Sequence, residues 1–439
     1  MTRQTEEFLL RHQMGNDPLD TVIPRFINQA KAGLSKNGES CFEMIPSYVQ
    51  ADGTIPPNEP VIVIDAGGTN LRVAFAHFNE DHECITEKLD VYPMPGAMGA
   101  TITIEDFYTA LARCLSPYAP LCHTIGFVFS FPCDITPDID GRVIVFDKEV
   151  SILHAEGSLL GENINRALND LGIEGSWKVI VMNDTISTVM GGLAGAKNPK
   201  SEHYLGVILG SGMNITYLQK CSGIQKDPAI QKRTGSMCIN MEAGGFDGFI
   251  KSDFDRIVQE KAELPGHMQF EKMVSGVYQG MIAEEMLRCA AREGLFGERT
   301  AASLARLEHL QAYEMDAYVR DPSGGNRLAS LVAPADKSTV YDLLDCYYDR
   351  TARLVAIALT CVMLLAGEED TGSLSSGAGM KPYCNVADGS TFYKTLLFRP
   401  KLARYMEEIA GKQYGLQYRF LKVEDENISG GAVAALINR

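Results

Sequence analysis

Residues 61–78 read Val-Ile-Val-Ile-Asp65-Ala-Gly67-Gly68-Thr69-Asn70-Leu-Arg72-Val-Ala-Phe-Ala-His-Phe. An apolar, β-branched run ends in a carboxylate, two glycines turn the chain, and a second apolar run follows. The pattern predicts strand, tight turn, strand. Glycines let the backbone fold sharply and let a bulky oxyanion approach its N–H groups. An Asp at the strand end is placed to hold a hydrated Mg²⁺ beside such an anion. No helical pattern follows the glycines, so neither the P-loop nor the dinucleotide fingerprint fits. The plain alternative is an ordinary hairpin with a glycine turn.

The same pattern returns at 204–218, Tyr-Leu-Gly-Val-Ile-Leu-Gly210-Ser211-Gly212-Met-Asn214-Ile-Thr-Tyr-Leu. Two such hairpins far apart in one chain predict a duplicated domain. Facing each other across a cleft, they would clamp the phosphate tail of a nucleotide.

Between them lie two buried strands with polar tips. Thr124-Ile-Gly-Phe-Val-Phe-Ser130-Phe131-Pro132 stops at a proline, which ends strand pairing. Trp177-Lys-Val-Ile-Val-Met-Asn183-Asp184-Thr185 runs into a predicted helix from Ile186, with Thr185 as its cap. Ligands in α/β sheets bind at the carboxyl ends of strands. Ser130 is therefore a candidate ligand contact or a cap, and Asp184 a candidate general base or a helix cap.

Further along, Cys238-Ile-Asn240-Met-Glu242-Ala-Gly-Gly places a carboxylate at a glycine turn. Phe270-Glu271-Lys-Met-Val-Ser-Gly-Val-Tyr opens a predicted long helix ending near Arg292, with Glu271 in the first turn, where the helix dipole favours a carboxylate. Residues 142–150, which include Lys148, read as a strand. The segment Asp425-Glu-Asn-Ile-Ser429-Gly430-Gly431-Ala is predicted as a turn opening a C-terminal helix from Val433, a natural anion or ribose site.

The chain has 439 residues, is 45% hydrophobic and carries a net charge of −16. Its length predicts two to three domains. The acidic balance argues against nucleic acid and anionic membrane surfaces as partners. Phosphate binding stays open, because backbone N–H groups and a metal need no basic patch. The 11 cysteines contain no CxxC pair, so their spacing indicates neither a zinc site nor a disulfide framework. The first residues lack a signal-peptide apolar core and no run reaches transmembrane length; the longest apolar stretch, Leu354 to Ala366, contains Thr360. A cytoplasmic α/β protein is expected.

These motifs, in this order, resemble those of the hexokinase family within the actin-like ATPase superfamily, from about residue 44 to the C-terminus. Asp65-Ala-Gly-Gly-Thr-Asn-Leu-Arg-Val resembles the family's first phosphate motif, and Gly210-Ser-Gly-Met-Asn its second. Gly126-Phe-Val-Phe-Ser-Phe-Pro resembles the sugar-binding strand, Asn183-Asp-Thr the catalytic segment, and Ile239-Asn-Met-Glu and Phe270-Glu-Lys-Met-Val-Ser-Gly-Val-Tyr two sugar-contacting segments. The chain departs from the family pattern at Asp147, where a threonine is usual before the lysine, at Ala243, where a tryptophan is usual, and in the Ile428-Ser-Gly-Gly-Ala turn.

The resemblance implies two actin-like (ribonuclease H-like) α/β domains flanking a deep cleft. Residues 60–185 with 428–439 would form the smaller domain, and 1–59 with 186–427 the larger. It implies ATP-dependent phosphorylation of the 6-hydroxyl of glucose or a close hexose, with Asp184 as general base. Ser130, Phe131, Lys148, Asn183, Asn214, Glu242 and Glu271 would hold the sugar. Asp65, Gly67, Gly68, Thr69, Asn70, Arg72, Gly210, Ser211 and Gly212 would serve the phosphates, Asp65 would hold Mg²⁺ through water, and Ser429 and Gly430 would lie near adenosine. The alternatives are a kinase for a ketohexose or amino sugar, and a non-catalytic hexose sensor.

Overall fold

A computed structural model describes residues 1–146, 150–194, 202–371 and 381–439. Two sheets organise the chain. In the first, Val61–Ala66 pairs antiparallel with Asn70–Phe78, which pairs antiparallel with Cys84–Pro93. On its other side Val61–Ala66 runs parallel to Thr124–Phe129, and that strand parallel to Lys178–Met182. In the second, His203–Leu209 pairs antiparallel with Met213–Lys220, and that with Ser236–Asn240, while Tyr383–Asp388 and Tyr418–Leu421 add in parallel on the other side. Numbered within each unit, both sheets have the order 3-2-1-4-5, with Ile45–Gln50 added at one edge of the second. The repeated hairpin is therefore one part of a repeated topology.

All six residues of Val61–Ala66 are buried, as are all six of Thr124–Phe129. Strands covered on both faces need continuous apolar runs, which is why these stretches read so clearly. Between the sheets lies a pair of packed helices, Asp184–Ala194 and Glu426–Ile437. Each follows the last strand of one sheet, and together they bury Val63, Val128, Ile186, Val189, Val386, Ile428 and Val433 in one cluster.

The pair differs from the sequence reading at both helix starts. The first helix begins at Asp184, not Ile186, because the Asn183 side chain accepts the Thr185 N–H at 2.9 Å and so provides the cap expected of Thr185. The expected 185/186 domain boundary thus falls inside one helix. The second helix begins at Glu426, so Ser429, Gly430 and Gly431 lie within it rather than in a turn before Val433. A Cβ on Gly430 would meet the Ser187 carbonyl oxygen at 1.9 Å, and one on Gly431 would meet Val63 at 2.7 Å. These glycines permit close helix packing.

Two other expectations are corrected. The strand over 142–150 is limited to Gly141–Val143 before the described residues end at 146. The long helix from Phe270 is broken: Glu271–Val274 stops at an extended Ser275, and Gly276–Arg292 continues beyond it. A Cβ on Gly276 would meet the Gly210 carbonyl at 2.8 Å, so the break lets the chain pass against the second glycine turn.

Behind the second sheet runs Lys337–Thr371, a helix of 35 residues. By length and composition it is apolar enough to cross a membrane, a longer span than the sequence reading marked. Yet 89% of its most apolar window is buried inside the fold, as befits a core helix.

Candidate active site

A cavity of about 510 Å³ opens between the two sheets. It is lined from the first sheet by Ser130, Phe131, Asn183 and Asp184, and from the second by Ser211, Gly212, Asn214, Glu242 and Glu271. Nine expected site residues therefore line one cavity. Lys148 lies outside the described residues.

Asp184 opens its helix, where the dipole favours a carboxylate. Thr185 Oγ1 donates to Asp184 Oδ1 at 3.4 Å, a long contact, and the capping bond goes to Asn183 instead. The carboxylate of Asp184 is thus not consumed as the helix cap.

Opposite lies a cluster of amides and a carboxylate. Asn214 Nδ2 donates to Asn240 Oδ1 at 2.7 Å and to Glu242 Oε1 at 3.1 Å, and Asn240 Nδ2 donates to Glu242 Oε1 at 2.7 Å. Burial pushes the Glu242 carboxyl above its ordinary pKa; the Asn240 bond opposes this, and the charges of Asp184 and Glu271 add to it. Glu242 also adopts a left-handed backbone, φ 52°, which is uncommon for a residue with a side chain. Strain of this kind persists where the surroundings dictate it, often at functional sites. Asn240 was not singled out from the sequence, although the quoted Ile-Asn-Met-Glu segment contains it.

Glu271 reaches the turn of the second hairpin: its Oε2 accepts the Met213 N–H at 2.9 Å. Burial raises its pKa as well, opposed by that bond and by Lys272.

The first hairpin lies beside the cavity rather than lining it. Its turn is closed by Gly67 N–H donating to the Asn70 carbonyl at 3.0 Å. Asp65 is only 8% exposed; Arg72 stands 3.5 Å from its Oδ2 and Asn427 donates to its Oδ1 at 3.2 Å. Arg72 also pairs with Asp425 at the start of the C-terminal helix. Burial raises the Asp65 pKa, Arg72 and Asn427 counter it, and the Asp184 charge raises it further. Asp65 and Asp184, two carboxylates near enough for the charge of one to raise the pKa of the other, offer hard oxygen donors of the kind that suits Mg²⁺.

A second cavity of about 420 Å³ lies on the far side of the second glycine turn. Gly210, Ser211, Gly276, Val277, Ser390, Thr391 and Lys394 are among its walls. Thr391 Oγ1 donates to the Gly210 carbonyl at 2.9 Å. Ser211 lines both cavities, so the turn stands between them. Gly430 does not line either one: it is buried against Ser187, which leaves its backbone closed to a ligand. The Asp388-Gly389-Ser390 segment was visible as a turn, but nothing local marked it as a cavity wall.

Two hexokinase family models match this chain, over residues 4–193 and 204–437. Hexokinase-4, chloroplastic, of Oryza sativa subsp. japonica is 28% identical, covering 95% of this chain and 84% of that protein. Hexokinase-1 of Spinacia oleracea is 27% identical, with coverages of 92% and 84%. Hexokinase-1 of Homo sapiens is 26% identical over 99% of this chain, which spans 48% of that longer protein. The hexokinase from Schistosoma mansoni complexed with glucose superposes with a TM-score of 0.75 at 20% identity, covering 99% of this chain and all of that one. A second hexokinase crystal structure gives 0.79 at 17% identity. These likenesses show the two-domain, actin-like sugar-kinase fold. With one family model spanning more than half the sequence and a second covering most of the rest, the chain belongs to the hexokinase family.

Proposed function

We propose that this protein transfers the γ-phosphoryl group of ATP to the 6-hydroxyl of glucose or a closely related hexose, with Asp184 as general base. The observation that carries this reading is the single cavity into which Asp184, the Asn214–Asn240–Glu242 cluster, Glu271 and the Ser211 turn all face.

A sugar offers many hydroxyls, and buried amides and carboxylates in fixed positions discriminate well, because an absent hydroxyl leaves them unpaired. Asn214, Asn240 and Glu242 hold one another and present such a surface. Asp184 then takes the proton of the 6-hydroxyl as its oxygen bonds to the γ-phosphorus. The bond from that phosphorus to the β,γ-bridging oxygen breaks, and ADP leaves. Positioning and charge neutralisation supply most of the acceleration in phosphoryl transfer. Asp65, with Thr69 and Ser211, would hold Mg²⁺, which when bound neutralises phosphate charge. The nucleoside would occupy the second cavity, past Ser211, between Val277 and Ser390–Thr391.

Asp147, where the family usually has a threonine, favours a second reading in which another hexose is preferred. A coupled assay over a panel of hexoses, ketohexoses and amino sugars, with several phosphoryl donors, separates the two. Highest kcat/KM with glucose and ATP supports the first reading, and clear preference for another sugar overturns the choice of glucose. Binding of hexose without turnover would identify a sensor.

A further inference from the structure

We infer that His12, Cys289 and Glu293 form a zinc-type metal site that staples the N-terminal helix to the large domain, away from the catalytic cavity. His12 closes the helix Arg3–Arg11. Cys289 and Glu293 are one turn apart at the end of Gly276–Arg292. The three ligand atoms form a triangle: His12 Nε2 to Cys289 Sγ is 3.6 Å, Cys289 Sγ to Glu293 Oε1 is 3.5 Å, and His12 Nε2 to Glu293 Oε1 is 2.7 Å.

Tetrahedral zinc with ordinary bond lengths places nitrogen and sulfur, and sulfur and carboxylate oxygen, about 3.6 Å apart, and nitrogen and oxygen about 3.4 Å apart. Two edges already fit. The third is held short by a hydrogen bond, which the ion would replace while the edge opens by roughly 0.7 Å.

The histidine is preset for this. Asp253 Oδ2 lies 2.8 Å from His12 Nδ1, so the Nδ1–H donates to that carboxylate and Nε2 faces the triangle, releasing the proton it shares with Glu293 when an ion binds. That carboxylate–histidine arrangement is the usual support of a metal-bound imidazole. The ring is clasped by Phe8 and Phe254, with centroids 4.6 and 5.1 Å away. An ordinary histidine–carboxylate pair does not require a sulfur at the third corner. Thiolate and carboxylate together offset a divalent charge, and Arg11, 2.5 Å from Glu293 Oε2, occupies the other carboxylate oxygen without blocking Oε1. The side chains of His12 and Glu293 are 14% and 31% exposed, so an ion and a fourth, water ligand reach them from solvent. Cysteine spacing cannot show this site, because His12 and Cys289 are 277 residues apart.

The test is titration of the metal-free full chain with Co²⁺, followed by displacement with Zn²⁺. The expected result is a thiolate-to-cobalt absorption band that saturates near one equivalent, is bleached by Zn²⁺, and is lost in both Cys289→Ser and Cys289→Ala. Zn²⁺ should raise Tm in wild type and not in either variant. No thiolate band in wild type, or a band that persists in the variants, overturns the site. Either result is independent of sugar phosphorylation, which is read in a separate assay.

Discussion

Glu271 Oε2 accepts the backbone N–H of Met213 at 2.9 Å, so a carboxylate that lines the cavity holds the residue that follows the Gly210-Ser211-Gly212 turn. The start of the Glu271–Val274 helix and the glycine turn are thereby tied together. Gly212 is part of the same contact: a Cβ there would meet Glu271 Oε2 at 2.7 Å. Glu271→Ala should lower kcat/KM for both glucose and ATP by about tenfold or more, the loss of one charge-assisted hydrogen bond. Glu271→Gln, which keeps an acceptor oxygen, should spare the ATP term more than the sugar term. Two-substrate initial-rate kinetics read both, and an unchanged ATP term in Glu271→Ala would show that the turn does not depend on the carboxylate.

Glu242 predicts a conflict between stability and binding. Burial raises its pKa above the ordinary 4.5, so the folded protein keeps a proton that the unfolded chain releases. Stability therefore falls as pH rises from 4.5 to the raised value, and the whole penalty is present above it. Glu242→Gln keeps an acceptor for Asn214 and Asn240 but removes the charge. Its Tm should exceed that of wild type at neutral pH, with the gap closing below the ordinary carboxylate pKa. Its KM for glucose should rise about tenfold or more, as expected when a hydrogen bond to a charged group is weakened. Thermal melts across pH, beside sugar kinetics, check both signs.

The crossing of the two central helices sets a packing limit. Gly430→Ala would drive a methyl group into the Ser187 carbonyl, so it should cost ~1–3 kcal/mol of unfolding free energy, the usual range for overpacking. Urea denaturation of wild type and variant measures it. A neutral effect would mean that the helices separate at little cost.

Outside the cavity lining, Arg350 and Asp255 form a buried ion pair at 2.7 Å, with side chains 3% and 0% exposed. Arg350 also donates to the Ile250 carbonyl, and Asp255 accepts from the Ser252 N–H and hydroxyl. Arg350→Ala leaves a buried, uncompensated carboxylate and should cost ~3–5 kcal/mol. Chemical denaturation gives the loss, while KM for both substrates should hold at temperatures where the variant is folded.

Much of the site was legible because its motifs are local. Asp65-Ala-Gly-Gly-Thr-Asn and Gly210-Ser-Gly-Met-Asn each carry their own turn chemistry, and the buried strands ending at Ser130 and Asp184 carry their own apolar runs. What the sequence hid was set by tertiary contact. Gly430 and Gly431 read as a turn because glycines break helices in isolation, whereas here close approach to Ser187 and Val63 calls for them. Asn183 displaced Thr185 as the cap, a choice between neighbouring polar residues that local propensity does not decide. The cavity beyond Ser211 joins Val277 to Ser390 and Thr391, more than 100 residues apart, and only the fold brings them together.

The central claim rests on Asp184, and its most direct test is glucose phosphorylation by wild type and Asp184→Asn, measured side by side with ATP and Mg²⁺. General-base catalysis predicts a kcat at least ~10²-fold lower in the variant, with a KM for glucose within a few-fold of wild type. A variant kcat close to that of wild type would contradict the assignment of Asp184 as the base.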